Sequence, residues 1–422
     1  MKEIITAQKI LKEILYTEIS FSFALKKTFQ SDETLKDIKG IVSALAGCEL
    51  RHHFLFSRLL HETNIQFTDD EKCLIYIALS NNLFLKRLNE DEVTDFIKSS
   101  IDEQRFSNLV KMLTFRDSPN DLIPNDIPRD SVDFLSLRFN TPIWLIKMWQ
   151  KHFGKGITYK LLKKNTRPQL LTCRVMTMQT TLDQLVKEND AFKPSPVSDM
   201  VIFDGKPPKK RAEFFRSFDV FPEKMAVKSF FDNFVQPNVH NILAYSGADN
   251  SILYELYAKY GRDVNFNVGV SNLDERFELA RSIRLANARN VNLFNAPDPL
   301  SMEAAISCEQ DLVVVAPSNS CFDEIRQYPD FLVKFRQEAI DKFILNQKLA
   351  LEGSSTYLTE DGKLIYIVMT LNRKESHSVI IDFLQKHRDF ELVEERQRFP
   401  YDELDTAMYY AILKRVGESR SD

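Results

Sequence analysis

Two short polar segments follow predicted strands in the C-terminal half, and their residue types could do chemistry. The first runs from Tyr245 to Ser251 and holds one glycine, Gly247, between a predicted strand and a predicted helix. In an open parallel sheet, ligands bind beyond the carboxyl ends of the strands, and glycines there let the backbone approach a nucleotide. This segment is the candidate cofactor loop. A plain strand–turn–helix connection capped by Asp249 or Ser251 is the alternative.

The second segment, residues 318–321, ends in a thiol, Cys321. A thiolate is a nucleophile, but a reactive one needs electropositive neighbours that lower its pKa. Arg326 is near Cys321 in sequence, while Asp323 and Glu324 are nearer. We therefore interpret Cys321 as a structural residue and keep a nucleophilic role as the alternative.

Other reactive side chains form no recognisable site. His52, His53 and His61 lie on an apolar helical segment, which favours packing or surface roles over metal binding. The five cysteines are scattered without a CxxC pair, so no metal is predicted. Reduced thiols are typical of the cytoplasm, and no apolar run reaches the roughly 18 residues of a membrane span. The sequence thus predicts a cytoplasmic location and no membrane partner.

The elements that must position the two polar segments alternate between strands and helices after about residue 217. This alternation predicts a parallel sheet covered by helices, closed by an antiparallel hairpin of the last two strands. The predicted strands are 241–245, 264–270, 291–294, 312–316, 363–370, 391–395 and 408–413, and the predicted helices are 251–260, 273–287 and 331–350.

The preceding residues divide into three segments. Residues 1–115 show apolar residues at helical spacing and almost no glycine, which is typical of a helical bundle, and residues 68–71, TDDE, predict a helix start. Residues 116–131 contain three prolines and are predicted to be a linker. A small basic region of mixed pattern follows at 132–216, and the alternating domain spans 217–418. The predicted fold is therefore multidomain.

The charge of the chain is uneven. The net charge is -4, yet residues 147–216 hold 15 Lys and Arg against 6 Asp and Glu, a local balance of about +9. Such a segment is typical of polyanion binding, and a solvated basic face without a partner is an equally good interpretation. The candidate phosphate contacts are Arg174, Lys206, Lys209, Lys210 and Arg211.

Several stretches resemble the bacterial Sun/Fmu-type 16S ribosomal RNA cytosine-5 methyltransferases. Residues 137–145, LRFNTPIWL, are similar to the family's "LRxSxPxWL"; residues 167–168 and 172–175 are similar to "RPPLTLRVN"; residues 324–330 are similar to "VIRRHPD"; residues 362–366 are similar to "GGxLVY"; and residues 106–110 are similar to the "FVNAVL" ending of NusB-like bundles. The resemblance implies an all-α NusB-like bundle, a small α+β linker domain that binds RNA, and an α/β Rossmann-like class I methyltransferase domain. It also implies S-adenosylmethionine as cofactor and ribosomal RNA as partner.

The departures from the family pattern coincide with its chemistry. The family's "DLCAAPGGKT" loop is similar to the segment that starts at Ala244, and its "DAPCSG" loop falls on Ala316 to Cys321. The family-equivalent cofactor positions are Ser246, Gly247, Ala248, Asp249, Ser271, Asn295 and Ala316. Within the first loop, Ala244 replaces the family's acidic residue, Asn250 and Ser251 replace its glycine pair, and Ile252 replaces its lysine. The two family cysteines are replaced by Asn319, or Ser318 in another register, and by Met369.

These replacements weaken the implied activity. Carbon-5 of cytosine is a poor nucleophile, and the family's enzymes first add a cysteine thiolate to carbon-6. Asn and Met cannot form that bond. We therefore predict a catalytically degenerate paralogue that keeps the fold and RNA contact, with cofactor binding weak or lost. One alternative is an active methyltransferase with a divergent site. Another is an interaction scaffold whose residues 1–115 dock a protein partner.

Overall fold

The computed structural model describes residues 1–115, 117–176, 180–188, 191–203, 220–246, 251–271, 273–285 and 288–416. Two compact units divide these residues: unit 1 comprises Met1–Pro168 and Glu324–Arg336, and unit 2 comprises Gln169–Asp323 and Gln337–Asp422. The four-segment division remains a prediction.

The helices are α1 (Lys2–Tyr16), α2 (Phe21–Ser31), α3 (Lys39–Glu62), α4 (Asp69–Leu79), α5 (Glu90–Ser100), α6 (Glu103–Ser107), α7 (Val110–Leu113), α8 (Val132–Phe139), α9 (Ile143–Asn165), α10 (Leu182–Glu188), α11 (Met225–Asn233), α12 (Ser251–Tyr260), α13 (Leu273–Leu285), α14 (Phe331–Lys334), α15 (Ala339–Ser355) and α16 (His377–Lys386). The strands are β1 (Leu171–Val175), β2 (Phe192–Pro194), β3 (Met200–Phe203), β4 (Val220–Pro222), β5 (Asn241–Ser246), β6 (Asn265–Val270), β7 (Val291–Asn295), β8 (Gln310–Ala316), β9 (Leu358–Val368), β10 (Phe390–Arg398) and β11 (Met408–Arg415).

Unit 1 is helical, as the apolar periodicity predicts. Helix α4 begins where the sequence places a helix start, because the Thr68 side chain and the Glu71 carboxylate form a reciprocal capping box. Helix α9 is interrupted at Gly154, whose φ of 82° lies in the left-handed region that favours glycine. The apolar faces of these helices close one core, from Ile4 and Leu11 of α1 to Leu137 of α8.

The N-terminal part of unit 2 is a small antiparallel sheet with strand order β2-β3-β1-β4. Helix α10 contributes Leu185 to the core of this sheet, with Cys173, Val201 and Phe192 from the strands. Residues 172–175, which resemble part of the family's "RPPLTLRVN" motif, lie on β1.

A seven-stranded sheet with order β10-β11-β9-β8-β5-β6-β7 forms the centre of unit 2 in its described residues. Strands β9, β8, β5, β6 and β7 are parallel, and β11 pairs antiparallel with both β9 and β10. The central strands are buried on both faces, which explains apolar runs such as Leu312–Ala316. The strand order reverses between β5 and β8, the point where open α/β sheets bind ligands.

One predicted helix is wrong in its extent. The apolar periodicity predicts a single helix over 331–350, but the structure has α14 and α15 separated by residues 335–338. The reason is tertiary: Asp330 accepts a hydrogen bond from the Phe21 amide, and the Lys334 ammonium donates to the Ile19 carbonyl, so α14 belongs to unit 1. The described residues contain no helix long and apolar enough to cross a membrane.

Candidate functional site

The carboxyl ends of the parallel strands bring most of the predicted cofactor residues to one edge of the sheet. Ser246 at the end of β5 pairs in register with Val270 of β6 and Ala316 of β8, and Val270 pairs with Asn295 of β7. Ser271 follows Val270 directly. The predicted residues Gly247, Ala248 and Asp249 lie outside the described residues.

The family's acidic cofactor positions carry no charge at this edge. Ala244 and Ala316 are buried, Ser271 is half-buried and Asn295 is exposed. S-adenosylmethionine needs an acceptor for its ribose hydroxyls, which an acidic residue after the second strand usually supplies. The residues at these family positions therefore do not fit the cofactor in the way the resemblance implies.

Two carboxylates lie near this edge at other positions. Burial, with smaller contributions from Glu275 and Asp298, raises the pKa of Tyr245 to about 12. Asp298 accepts hydrogen bonds from the Leu300 amide and the Ser301 hydroxyl, so its carboxylate holds the turn after β7. Neither residue follows β6 directly, where the ribose acceptor is expected.

A buried polar network joins the loops after β8 and β9. The Glu375 carboxylate accepts a hydrogen bond from the Ser320 amide at 2.8 Å and another from the Asn372 side-chain amide at 2.9 Å. The Gln347 side chain donates to Glu375 and to the Ser318 carbonyl, both at 3.1 Å. These contacts fix the two loops that carry the family's cysteine positions.

A direct bond between the two loops completes this network, which we call the Glu375 network (Ser318, Ser320, Gln347, Thr370, Asn372 and Glu375). The hydroxyls of Ser320 and Thr370 are 2.6 Å apart, and Thr370 also contacts Glu375 at 3.3 Å. Glu375, Gln347, Thr370 and Asn372 are fully buried. Buried polar groups of this kind cost free energy unless their hydrogen bonds are satisfied, so the network specifies one loop arrangement.

Asn319 and Met369, at the family's cysteine positions, are both buried. The Asn319 side chain serves its own loop: its amide donates to the Pro317 carbonyl at 3.2 Å, and its oxygen accepts from the Cys321 amide at 2.9 Å. Met369 is 4% exposed and packs in the apolar core beneath the sheet. Neither side chain offers a nucleophile.

The two registers of the family's "DAPCSG" loop differ in which residue takes the place of its last glycine. Cys321 has a φ of 50°, in the left-handed region where glycine is favoured. The resemblance puts the last glycine of "DAPCSG" at this residue. The other register puts that glycine at Ser320, whose φ is not positive.

Cys321, the candidate nucleophile of the alternative hypothesis, is half-buried. The nearby Asp323 carboxylate is occupied, since it forms an ion pair with Lys224 at 3.0 Å and accepts a hydrogen bond from Gln169. No cluster of metal-ligating side chains exists in the described part of the chain.

The predicted phosphate contacts are described in part. Arg174 lies on β1 and forms an ion pair with the buried Glu255 carboxylate. Lys206, Lys209, Lys210 and Arg211 lie outside the described residues. Helix α9 also carries exposed lysines, among them Lys151, Lys155 and Lys163. They lie in the basic segment 147–216 but were not among the predicted phosphate contacts.

The Glu375 network was also missed in the sequence. Its members come from three separate stretches, and hydrogen bonds join residues as far as 55 positions apart. The available signal was the run of polar residues directly after two strongly apolar strands, at 318–320 and 370–376.

The helical region and the mixed sheet with parallel central strands have the Rossmann-like fold of solved methyltransferase-type structures. The chain is similar to the crystal structure of PH0851, with a TM-score of 0.76, 15% identity and 98% of each chain covered. It is also similar to the structure of NSun6 from Pyrococcus horikoshii with SFG, with a TM-score of 0.56, 13% identity, and 65% of this chain and 98% of that chain covered. These likenesses confirm the helical N-terminal region and the Rossmann-like sheet.

A curated relative is similar to this chain over part of its length. The chain is 24% identical over 277 residues to the "Probable ribosomal RNA small subunit methyltransferase B" of Bacillus subtilis, which covers 63% of this chain. The match spans 60% of the length of that relative. No family model matches the chain. The resemblance to the Sun/Fmu-type methyltransferases is thereby confirmed.

Proposed function

We propose that this protein is a catalytically degenerate paralogue of the ribosomal RNA cytosine-5 methyltransferases, which keeps their fold and holds RNA in the cytoplasm. The observation that carries the proposal is the state of the two family cysteine positions. Asn319 is hydrogen-bonded within its own loop, and Met369 is packed in the core. Neither position supplies the thiolate that the family's reaction requires.

The surrounding loop supports the same conclusion. The hydroxyls of Ser320 and Thr370 bond to each other, and the Thr370 hydroxyl also donates to the Glu375 carboxylate. A hydroxyl is a weak nucleophile without an adjacent general base. Glu375 could accept a proton from Thr370, but it already accepts hydrogen bonds from Ser320, Gln347 and Asn372. The Glu375 network therefore acts as a support for the loops.

We infer that S-adenosylmethionine binding is weak or lost. Ser271 and Asn295 can form neutral hydrogen bonds with a ribose, but neutral bonds are roughly half as strong as bonds to a carboxylate. Ala244 and Ala316 provide no side-chain acceptor. At these four positions the chain therefore lacks the charged side chains that the family uses to contact S-adenosylmethionine.

RNA binding is supported by the basic residues before the sheet. Lys151, Lys155 and Lys163 of α9 are exposed, and no ion pair with a carboxylate is present for them among the described residues. Lysines of this kind bind phosphates without reading sequence. The proposed partner is ribosomal RNA, and Lys206, Lys209, Lys210 and Arg211 remain further predicted phosphate contacts.

A methyl-transfer assay tests the loss of chemistry. The full-length protein is incubated with unmodified small-subunit ribosomal RNA and radiolabelled S-adenosylmethionine, and label in the RNA is counted. We expect no transfer above the background of a heat-denatured control. Transfer by the wild-type protein that disappears in Cys321→Ala would overturn the proposal and identify Cys321 as the nucleophile of an active, divergent enzyme.

An anisotropy titration with a fluorescent single-stranded RNA tests the RNA contact. The triple variant Lys151→Gln/Lys155→Gln/Lys163→Gln should bind more weakly and reduce the slope of log K against log salt concentration by about 2, since each phosphate contact contributes about 0.7. A triple variant of exposed lysines elsewhere, Lys26→Gln/Lys36→Gln/Lys98→Gln, is the matched control. Affinity that does not depend on salt would contradict the proposed contact.

A further inference from the structure

Unit 1 contains a cleft that the methyltransferase-type site does not explain. The cleft has a volume of about 570 Å³, within the roughly 300–1,000 Å³ of small-molecule sites. Its walls come from α1, α3, the loop after α3, α4 and residues 333–336, all of unit 1. The polar and aromatic side chains that line the cleft include Tyr16, His53, His61, Lys72, Tyr76 and Arg336.

The lining of this cleft is basic, although the chain as a whole is acidic. Lys72, Arg336, His53 and His61 line it, and no Asp or Glu is among its lining residues. Arg336 is exposed, and its guanidinium has no carboxylate partner in the described part of the chain. Lys72 is paired with Asp69 at the exposed rim, where such a pair is worth little. The cleft therefore favours an anion.

His53 is held in place from below by a buried carboxylate. Its Nδ1 lies 2.6 Å from a carboxylate oxygen of Glu49, which is one helical turn away on α3 and fully buried. Burial lowers the pKa of His53, but the Glu49 carboxylate opposes this effect and the net pKa is raised above its ordinary value. The Nδ1–H group of His53 therefore donates a hydrogen bond to Glu49, which leaves Nε2 available to a ligand in the cleft.

Tyrosine rings provide the apolar wall of the cleft. Tyr76 packs edge-on against His53, with ring centroids 5.8 Å apart, and burial raises its pKa to about 12. Burial and a hydrogen bond to Asp69 also raise the pKa of Tyr16. Both phenols therefore stay neutral near pH 7 and add no negative charge to the site.

We propose that the unit 1 cleft binds a small organic phosphate of the size of a nucleoside monophosphate. Arg336 binds the phosphate through its planar donors, and His53 in its doubly protonated form donates a further hydrogen bond through Nε2. Lys72 adds charge at the rim, and the tyrosines contact the organic part. The proposal rests on the helical unit alone and does not depend on the proposed loss of methyl transfer.

Calorimetric titration of the full-length protein tests this site, with adenosine monophosphate, inorganic phosphate and adenosine as separate probes. We expect adenosine monophosphate to bind, and adenosine to bind at least about tenfold more weakly, since it lacks the charged hydrogen bonds. Arg336→Gln should weaken the binding of adenosine monophosphate about tenfold. Arg87→Gln, an exposed arginine of unit 1 that does not line the cleft, should leave it unchanged.

The other outcomes are equally decisive. No binding of adenosine monophosphate at about 10 mM, beyond the weakest affinities typical of specific sites, would overturn the proposal. Binding that Arg336→Gln and Arg87→Gln weaken equally would overturn the assignment to this cleft. Inorganic phosphate that binds as tightly as adenosine monophosphate would overturn the part that names an organic ligand. His53→Gln is a second test, with a thermal melt to establish that the variant is folded.

Discussion

The two halves of the sheet edge differ in how their polar residues are used. At the ends of β8 and β9, the Glu375 network fixes both loops with buried hydrogen bonds. At the ends of β6 and β7, the side chains of Ser271 and Asn295 form no hydrogen bond with another described residue, although the Asn295 backbone pairs with β6. At the nucleophile positions the polar residues support the loops, while the described residues at the family's acidic cofactor positions are uncharged. A methyltransferase fold therefore does not by itself imply methyl transfer.

Removal of the Glu375 carboxylate should have the largest effect on stability. Glu375→Ala leaves the Ser320 amide and the Asn372 side-chain amide without their acceptor, and removes one of the two partners of Gln347 and of Thr370. Each buried unsatisfied group costs about 1–3 kcal/mol. We expect the free energy of unfolding to fall by about 3 kcal/mol in urea denaturation. Glu391→Ala, at an exposed position, should change it by less than about 0.5 kcal/mol. Equal effects of the two changes would remove the structural role of the network.

The bond between the loops should contribute less. Thr370→Val keeps the shape of the side chain but leaves the Ser320 hydroxyl without its partner, which costs about 1–2 kcal/mol. The double variant Ser320→Ala/Thr370→Val should lose less than the sum of the two single changes, because both partners are then removed. Strict additivity in this cycle of denaturation measurements would show that the two hydroxyls are not coupled.

Truncations of side chains at the ends of β6 and β7 should have almost no effect on stability. Ser271→Ala and Asn295→Ala remove side chains without a described hydrogen bond, so each should change the free energy of unfolding by less than about 0.5 kcal/mol. A loss above about 1 kcal/mol in the same denaturation assay would contradict the contrast between the two halves.

Restoration of the cysteines should produce no activity. Asn319→Cys/Met369→Cys returns both thiols, but Ala244, Ser271, Asn295 and Ala316 still provide no charged cofactor contact. We expect no methyl transfer to ribosomal RNA in the radiolabel assay, and a thermal melt checks that the variant is folded. Transfer by this variant would mean that the missing thiols alone account for the lost chemistry.

The sequence alone was sufficient to predict most helices and strands, and to identify which of the family's thiols and carboxylates are replaced in this chain. Apolar runs such as that of β8 predict buried parallel strands, because such strands must be apolar on both faces. The Thr68 capping signal predicts the start of α4 correctly, since a cap is a local interaction. The loss of the family's thiols and carboxylates is also a property of residue types, which needs no structure.

Interactions between distant residues could not be predicted in the same way. The break after Lys334 follows from contacts with Ile19 and Phe21, more than 300 positions away, while the local pattern is helical. Arg174 was a candidate phosphate contact by charge alone, and its partner Glu255 lies 81 positions away. The hydrogen bonds of Glu375 with Ser320 and Gln347 likewise join residues with no local signal.

The most direct test of the central claim is calorimetric titration of S-adenosylmethionine into the full-length protein, at concentrations that detect millimolar binding. The account predicts no binding, or binding no tighter than about 1 mM, where the free energy of binding is about -4 kcal/mol. Micromolar binding would contradict it, because the uncharged edge at Ser271, Asn295 and Ala316 would then be a working cofactor site.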